Sequence, residues 1–238
     1  MRYWLVMPAA GVGRRFGGPK QFAVLGGRTV LDLALQPFIE DVQCQGGVVA
    51  LAADEPRRAE LGARVPARFI LVDGGATRAE SVLKALAALA ALAGRAAVDD
   101  WVLVHDAARP CLSGGDLARL LAGSIGAEGA LLAVPVADTV KQAQVASRGE
   151  PVQCAATVSR ESLWLAQTPQ MFALGALRVA LERALAQGRM PTDEAQAMEW
   201  QGVSARLVAA HDSNIKITSA ADLLLARAIL QSRQGGSE

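Results

Sequence analysis

Tyr3-Trp4-Leu5-Val6-Met7-Pro8-Ala9-Ala10-Gly11-Val12-Gly13-Arg14-Arg15-Phe16-Gly17-Gly18-Pro19-Lys20-Gln21 opens the chain after two residues. Its first five residues are a short apolar run closed by Pro8, and the glycines that follow fill a loop. From Val30 to Phe38 the apolar positions take helical spacing, so the order is strand, glycine loop, helix. Two familiar versions of that order fail on spacing. A dinucleotide fingerprint needs a third glycine where Phe16 stands, and a Walker A loop needs Gly-Lys-Ser/Thr where this chain has Gly-Pro-Lys-Gln. What remains is a loop of small residues that lets backbone N–H groups approach a phosphate chain, with Arg15 and Lys20 adding fixed positive charge.

The rhythm of the opening recurs downstream. Apolar strands are expected at Gly47–Ala52, Phe69–Val72, Trp101–Val104 and Ala130–Val134, with helices at Pro56–Leu61, from about Thr77 to Leu92, and near Asp116–Leu121. Strands that are apolar at every position and alternate with helices call for a mostly parallel sheet covered on both faces, in an α/β, Rossmann-like doubly wound fold. The pattern breaks between Val136 and Ser159, where small and polar residues alternate without helical spacing, and a β-hairpin arm is expected over about 136–160. Beyond it come a helix at Gly175–Gln187, a strand at Arg206–Val208, a strand-like segment around Lys216, and a helix at Ser219–Leu230 capped by Ser219. Gln234–Glu238 read as frayed. No linker or repeat interrupts residues 1–238, which read as one domain carrying the arm as an insertion.

Composition narrows the function classes. With 238 residues and 52% hydrophobic side chains the chain can bury a sizeable core, and 24 basic against 23 acidic residues give a net charge of +1. No overall basic field exists to condense it onto nucleic acid, so a polyanionic ligand must be met locally. Apolar stretches end well short of the roughly 18 residues of a membrane span and no cleavable leader pattern follows Met1; a cytoplasmic protein without membrane partners is expected. Three widely spaced cysteines (Cys44, Cys111, Cys154) and two histidines (His105, His211) leave no disulfide framework or zinc ribbon. Only four of the basic residues are lysines, and Lys20, Lys141 and Lys216 all fall in motifs, Lys84 being the fourth.

Six segments in order carry the chemistry: Ala9-Ala10-Gly11-Val12-Gly13-Arg14-Arg15 with Pro19-Lys20-Gln21; Asp73-Gly74-Gly75 with Arg78 and Ser81; His105-Asp106-Ala107-Ala108-Arg109-Pro110; Pro135 to Lys141; Thr192-Asp193-Glu194; and Asn214-Ile215-Lys216-Ile217-Thr218. From about Val6 to Leu230 the chain resembles the 2-C-methyl-D-erythritol 4-phosphate cytidylyltransferase family of the non-mevalonate isoprenoid pathway. That resemblance implies transfer of a cytidylyl group from CTP to 2-C-methyl-D-erythritol 4-phosphate, with release of pyrophosphate. It implies catalytic roles for Arg15, Lys20 and Lys216, and a nucleotide site formed by Ala9, Ala10, Gly11, Gly13, Gly74, Gly75, Ser81 and Ala107. Arg109, Thr139, Arg160 and Thr192 are implied at the acceptor, and Asp106 at a Mg2+ ion that bridges phosphates. It also implies a homodimer, with Thr139 and Arg160 of one arm reaching the partner's site.

Read without the resemblance, several of these residues keep ordinary alternatives. Asp106 after a strand is also a turn residue, and Ser81 a first-turn helix residue. His105 reads better as a satisfied structural histidine than as a proton carrier, since a phosphate nucleophile is already ionised at neutral pH. Ala76 stands where relatives often have Asp, which matters to base selectivity only if that contact is made by a side chain. A different sugar- or polyol-phosphate nucleotidyltransferase and a non-catalytic nucleotide-binding module are the rival readings; retention of both Lys20 and Lys216 speaks against the second.

Overall fold

The computed structural model describes residues 1–13, 16–92, 96–145 and 151–235. Arg15 lies outside the described residues, as do residues 236–238. Seven strands form the main sheet in the order β11-β7-β10-β6-β1-β4-β5. They are β1 (Tyr3–Pro8), β4 (Cys44–Leu51), β5 (Phe69–Asp73), β6 (Trp101–Val104), β7 (Gly129–Pro135), β10 (Trp164–Ala173) and β11 (Arg206–Ala209). All run one way except β10, which pairs antiparallel with both β6 and β7.

Alternation along each strand builds two cores. Tyr3, Leu5 and Met7 of β1 face one layer, with α1 (Val30–Glu40) and α4 (Gly114–Gly123). Trp4 and Val6 face the other, with α3 (Arg78–Ala91), α5 (Leu174–Ala186) and α6 (Glu194–Glu199). Both sides of the central strands are therefore covered. The short helix α2 (Arg58–Arg64) inserts Leu61 into the first core. A third, smaller cluster joins Leu25, Val30, Cys111, Ile217 and Ala226, and so packs the C-terminal helix α7 (Ala220–Gly235) against the segment that carries Lys216.

The chain steps outward from β1 to β4 and β5 on one side, then crosses to β6 on the other. This reversal opens a crevice beyond the carboxyl ends of β1 and β6, where open α/β sheets hold ligands. Both sharpest motifs leave from there: the glycine loop after Pro8 and His105-Asp106 after Val104.

Several elements differ from expectation. β10 and α6 have no counterpart in the sequence reading, nor does the small ribbon of β2 (Val24–Leu25) and β3 (Arg28–Thr29) turning at Gly26-Gly27. Pro169 and the polar trio Gln167, Thr168 and Gln170 disguise β10, yet all three polar residues are buried. The Lys216 segment is an irregular loop rather than a strand, pinned by a hydrogen bond from Ile217 N to Ala108 O at 2.8 Å. The C-terminal helix continues to Gly235 where fraying was expected. Between Pro135 and β10, β8 (Val140–Ala143) and β9 (Cys154–Val158) form a separate antiparallel ribbon outside the main sheet.

Candidate active site

Gly13 sets the shape of the first loop. Its φ of 64° lies in the left-handed region, and a Cβ there would sit 1.8 Å from Gly18 O. Its carbonyl accepts from Phe16 N at 2.9 Å and Gly17 N at 3.1 Å, folding the loop back on itself. Gln21 locks the other side: its amide donates to Ala9 O at 2.8 Å and Gly11 O at 3.0 Å. Those two bonds hold the backbone from Ala9 to Gly11 against Gln21 without help from a ligand.

Across the crevice, α3 begins in a capping box in which Thr77 Oγ1 accepts from Glu80 N and the Glu80 carboxylate accepts from Thr77 N. Gly74 packs so close that a Cβ would meet Ala10 Cβ at 2.5 Å and Ser81 Oγ at 2.9 Å. Ser81 donates its hydroxyl proton to Thr77 O at 2.8 Å and accepts from Gly75 N at 3.0 Å, leaving it one lone pair for a ligand donor. The Ala76 amide is already taken by Glu80 Oε2 at 2.7 Å, so only its carbonyl and methyl group remain for a ligand. Lys84 Nζ donates to Gly74 O at 2.8 Å.

Pro8, Ala9, Ala10, Gly11, Gly13, Lys20, Gly75, Ser81, Asp106, Ala107 and Lys216 border one cleft with a cavity volume of about 200 Å3. Lys20 and Lys216, nearly the whole chain apart in sequence, thus border the same cleft. A neighbouring cavity of about 150 Å3 is bordered by Arg78, Asp106, Arg109, Gln167, Thr168, Thr192 and Lys216. Arg109 and Thr192 are brought together there. Thr139 and Arg160 border neither cavity; both are exposed, and Arg160 donates to Ala137 O in its own arm.

Asp106 lies between the two cavities. Arg78 Nε donates to its Oδ1 at 2.9 Å, Lys216 Nζ approaches Oδ2 at 2.6 Å, and Arg109 Nε stands 3.9 Å away. Burial alone would raise its carboxyl pKa, but Arg78 and Lys216 hold it well below the usual carboxylate range, so it is an anion at any physiological pH. Arg78 also forks onto buried Glu194, at 2.6 and 2.9 Å. Glu194 belongs to the Thr192-Asp193-Glu194 motif, and the one local sign of its role is an acidic residue in the first turn of α6.

His105 is fully buried and forms no part of either wall. Its Nε2 faces Arg109 O at 3.2 Å, which can only accept, so Nε2 carries the proton. Thr168 therefore donates to Nδ1 at 3.0 Å and accepts from Asp106 N at 3.0 Å. Burial pushes the imidazole pKa down to about 4, and the ring stays neutral. It reads as the structural histidine.

As a metal site, the donor set suits one class of ion. Among the described residues no group of three or more His, Cys, Asp or Glu side chains gathers around one point, which leaves no all-protein cage. A lone buried carboxylate bordering a cationic cleft does fit Mg2+, which takes one or two carboxylates and completes its shell with water and phosphate oxygens. Among the described residues, no helix is long and apolar enough to cross a membrane.

A cleft bordered by two lysines and the backbone of a glycine loop, without a dinucleotide fingerprint or Walker loop, suits the phosphates of a nucleotide, and the family match puts this protein among the nucleotidyltransferases. The comparisons specify it further. The family model described as "IspD: 2-C-methyl-D-erythritol 4-phosphate cytidylyltransferase" matches residues 3–232, and the chain belongs to that family. The enzyme of that name from Halorhodospira halophila is 50% identical, over 100% of this chain and 97% of its own length. That of Ectopseudomonas mendocina is 49% identical over 93% of each. Among solved structures, a 4-diphosphocytidyl-2C-methyl-D-erythritol synthase superposes with a TM-score of 0.81 at 37% identity, covering 97% of this chain and 99% of that one. The Francisella tularensis cytidylyltransferase gives 0.79 at 32% identity, covering 96% and 100%.

Proposed function

We propose that this protein transfers a cytidylyl group from CTP to 2-C-methyl-D-erythritol 4-phosphate, giving 4-diphosphocytidyl-2-C-methyl-D-erythritol and pyrophosphate. Membership of the family carries the reaction. The single structural observation that supports its mechanism is that Lys20 and Lys216 border the same cleft as the glycine loop. The acceptor's phosphate oxygen attacks the α-phosphorus in line and pyrophosphate leaves from the opposite side. No covalent enzyme intermediate is required.

The residues divide the work by position. The backbone of Ala9 to Gly13 cradles the triphosphate, with Arg15 adding charge to the phosphate chain. Lys216 spends one of its three donors on Asp106 and keeps two for the charge that builds on the α-phosphate; Lys20 meets the same charge from the loop. Gly75 and the free lone pair of Ser81 read the cytosine edge, with Gly74 packed behind Ser81 and Ala10 and Ala107 beside the base. Arg109 and Thr192 hold the acceptor phosphate. Asp106 would hold Mg2+, which when bound neutralises the nucleotide phosphates.

Thr139 and Arg160 complete the acceptor site from a second copy. Their exposure on a ribbon that borders neither cavity of its own chain supports a homodimer joined through the arm over about 136–160. We read residues 1–238 as one nucleotidyltransferase domain working in the cytoplasm. Purified protein incubated with each nucleoside triphosphate and a panel of phosphorylated polyols tests the assignment. Product is expected only with CTP and 2-C-methyl-D-erythritol 4-phosphate, and preference for another pair would overturn it.

A further inference from the structure

Asn214 is fully buried and touches three separate parts of the site. Its backbone carbonyl accepts from Arg109 Nη1 at 2.6 Å. Its side-chain amide donates to Gln167 Oε1 at 2.9 Å and to Thr168 O at 2.8 Å, in the segment of β10 that borders the acceptor cavity. Two residues further on stands Lys216. One residue before it, Ser213 Oγ accepts from Arg233 of α7, a tie that reaches none of these groups.

The consequence follows from what each contact leaves free to move. If the 214 carbonyl shifts, Arg109 loses a 2.6 Å hydrogen bond and keeps the looser 3.9 Å ion pair with Asp106, because its Nε is buried without a hydrogen-bond partner. The loop around Lys216 is irregular backbone, so no sheet or helix ladder fixes its ammonium. Ile217 N on Ala108 O holds the far side of Lys216, and the Asn214 amide holds the near side. The groups of the nucleotide subsite, Gly74, Gly75 and Ser81, are held by α3 and have no bond to Asn214.

We propose that Asn214 is a positioning residue that sets Arg109 for the acceptor phosphate and Lys216 for the charge that builds on the α-phosphate in the transition state, while the glycine loop and α3, which it does not touch, carry most of CTP binding. This deepens the cytidylyltransfer reading and rests on it. Asn214→Asp tests it with almost no change of volume: the carboxylate cannot donate, so it faces the Thr168 carbonyl oxygen acceptor to acceptor. Asn214→Ser is the second variant, shorter but still a donor. Ser213→Ala loosens the same loop on its other side and serves as control.

With CTP affinity measured by calorimetry in the absence of acceptor, Asn214→Asp should bind CTP within about threefold of the unmodified protein. It should lose about 10- to 100-fold in kcat/KM for the acceptor, shared between a higher KM and a lower kcat, as a displacement near 1 Å costs. Asn214→Ser should fall between, and Ser213→Ala should match the unmodified protein. CTP affinity falling in step with acceptor kinetics, equal loss in Ser213→Ala, unchanged kinetics in Asn214→Asp, or failure of both Asn214 variants to fold would each overturn the proposal. Failure of the unmodified protein to turn over these substrates would instead strike the underlying assignment.

Discussion

At Gly13 a single methyl group meets two obstacles at once, a left-handed φ and a carbonyl oxygen 1.8 Å from where the Cβ must go. The backbone conformation alone costs about 1 kcal/mol for an L side chain, and the overlap forces the loop open. Gly13→Ala should therefore leave the sheet folded, with Tm within a few degrees, and weaken CTP binding by about tenfold or more. Unchanged CTP affinity would mean that the loop does not hold phosphates. The lysines answer to a different measurement. Lys20→Ala and Lys216→Ala should each lower kcat by about 10²-fold or more with the fold intact, since each removes a preorganised charge from the transition state. The thiols report on the core. Burial pushes Cys44 and Cys111 up to about 11 from an ordinary 9.0, a raised folded-state value, so their stabilising effect is complete below pH 9 and is lost as pH climbs toward 11. Alkylation at pH 8 should accordingly spare both until urea unfolds the chain. Rapid labelling of either in the native protein would contradict their placement.

Among the elements, those whose every position is apolar could be read directly. β1, β4 and β6 appear where hydrophobic runs predict them, because a strand covered on both faces needs no polar alternation. α1 and α3 are equally legible, each beginning in a Thr-led capping box. β10 was hidden for a physical reason: Gln167, Thr168 and Gln170 are buried at a sheet centre because each is satisfied by site groups, and local sequence cannot display those partners. The same holds for Asn214 and Gln21, which look like ordinary loop polar residues until their acceptors from distant segments are in view. Of the residues that the motifs offer for a nucleotide, Ala9, Ala10, Gly11, Gly13, Gly75, Ser81 and Ala107 border one cleft. The acid–base brace of Glu194, Arg78 and Asp106 was out of reach because it joins residues 78, 106 and 194 through folding alone. Glu194→Gln takes the forked carboxylate away from Arg78, which keeps Asp106, so it should lower stability by about 2 kcal/mol, read from urea unfolding. A change below about 0.5 kcal/mol would show the pair to be dispensable.

For the whole molecule the proposal to test is that Thr139 and Arg160, which border neither cavity of their own chain, act at a second copy's site. If the arms exchange between copies, Lys20→Ala and Arg160→Ala protomers, each nearly inactive alone, should complement when unfolded together and refolded. Random pairing then gives about a quarter of the sites an intact core and an intact arm. No recovery on mixing would place Arg160 at its own chain's site or at none. Beneath this stands the proposed convergence of two ammonium groups on one phosphorus, and a crystal structure with CTP and Mg2+ bound examines it most directly. The account predicts Lys20 Nζ and Lys216 Nζ both within hydrogen-bond distance of α-phosphate oxygens, about 3 Å. A bound nucleotide whose α-phosphate meets neither amine, with Lys216 paired only to Asp106, would contradict it.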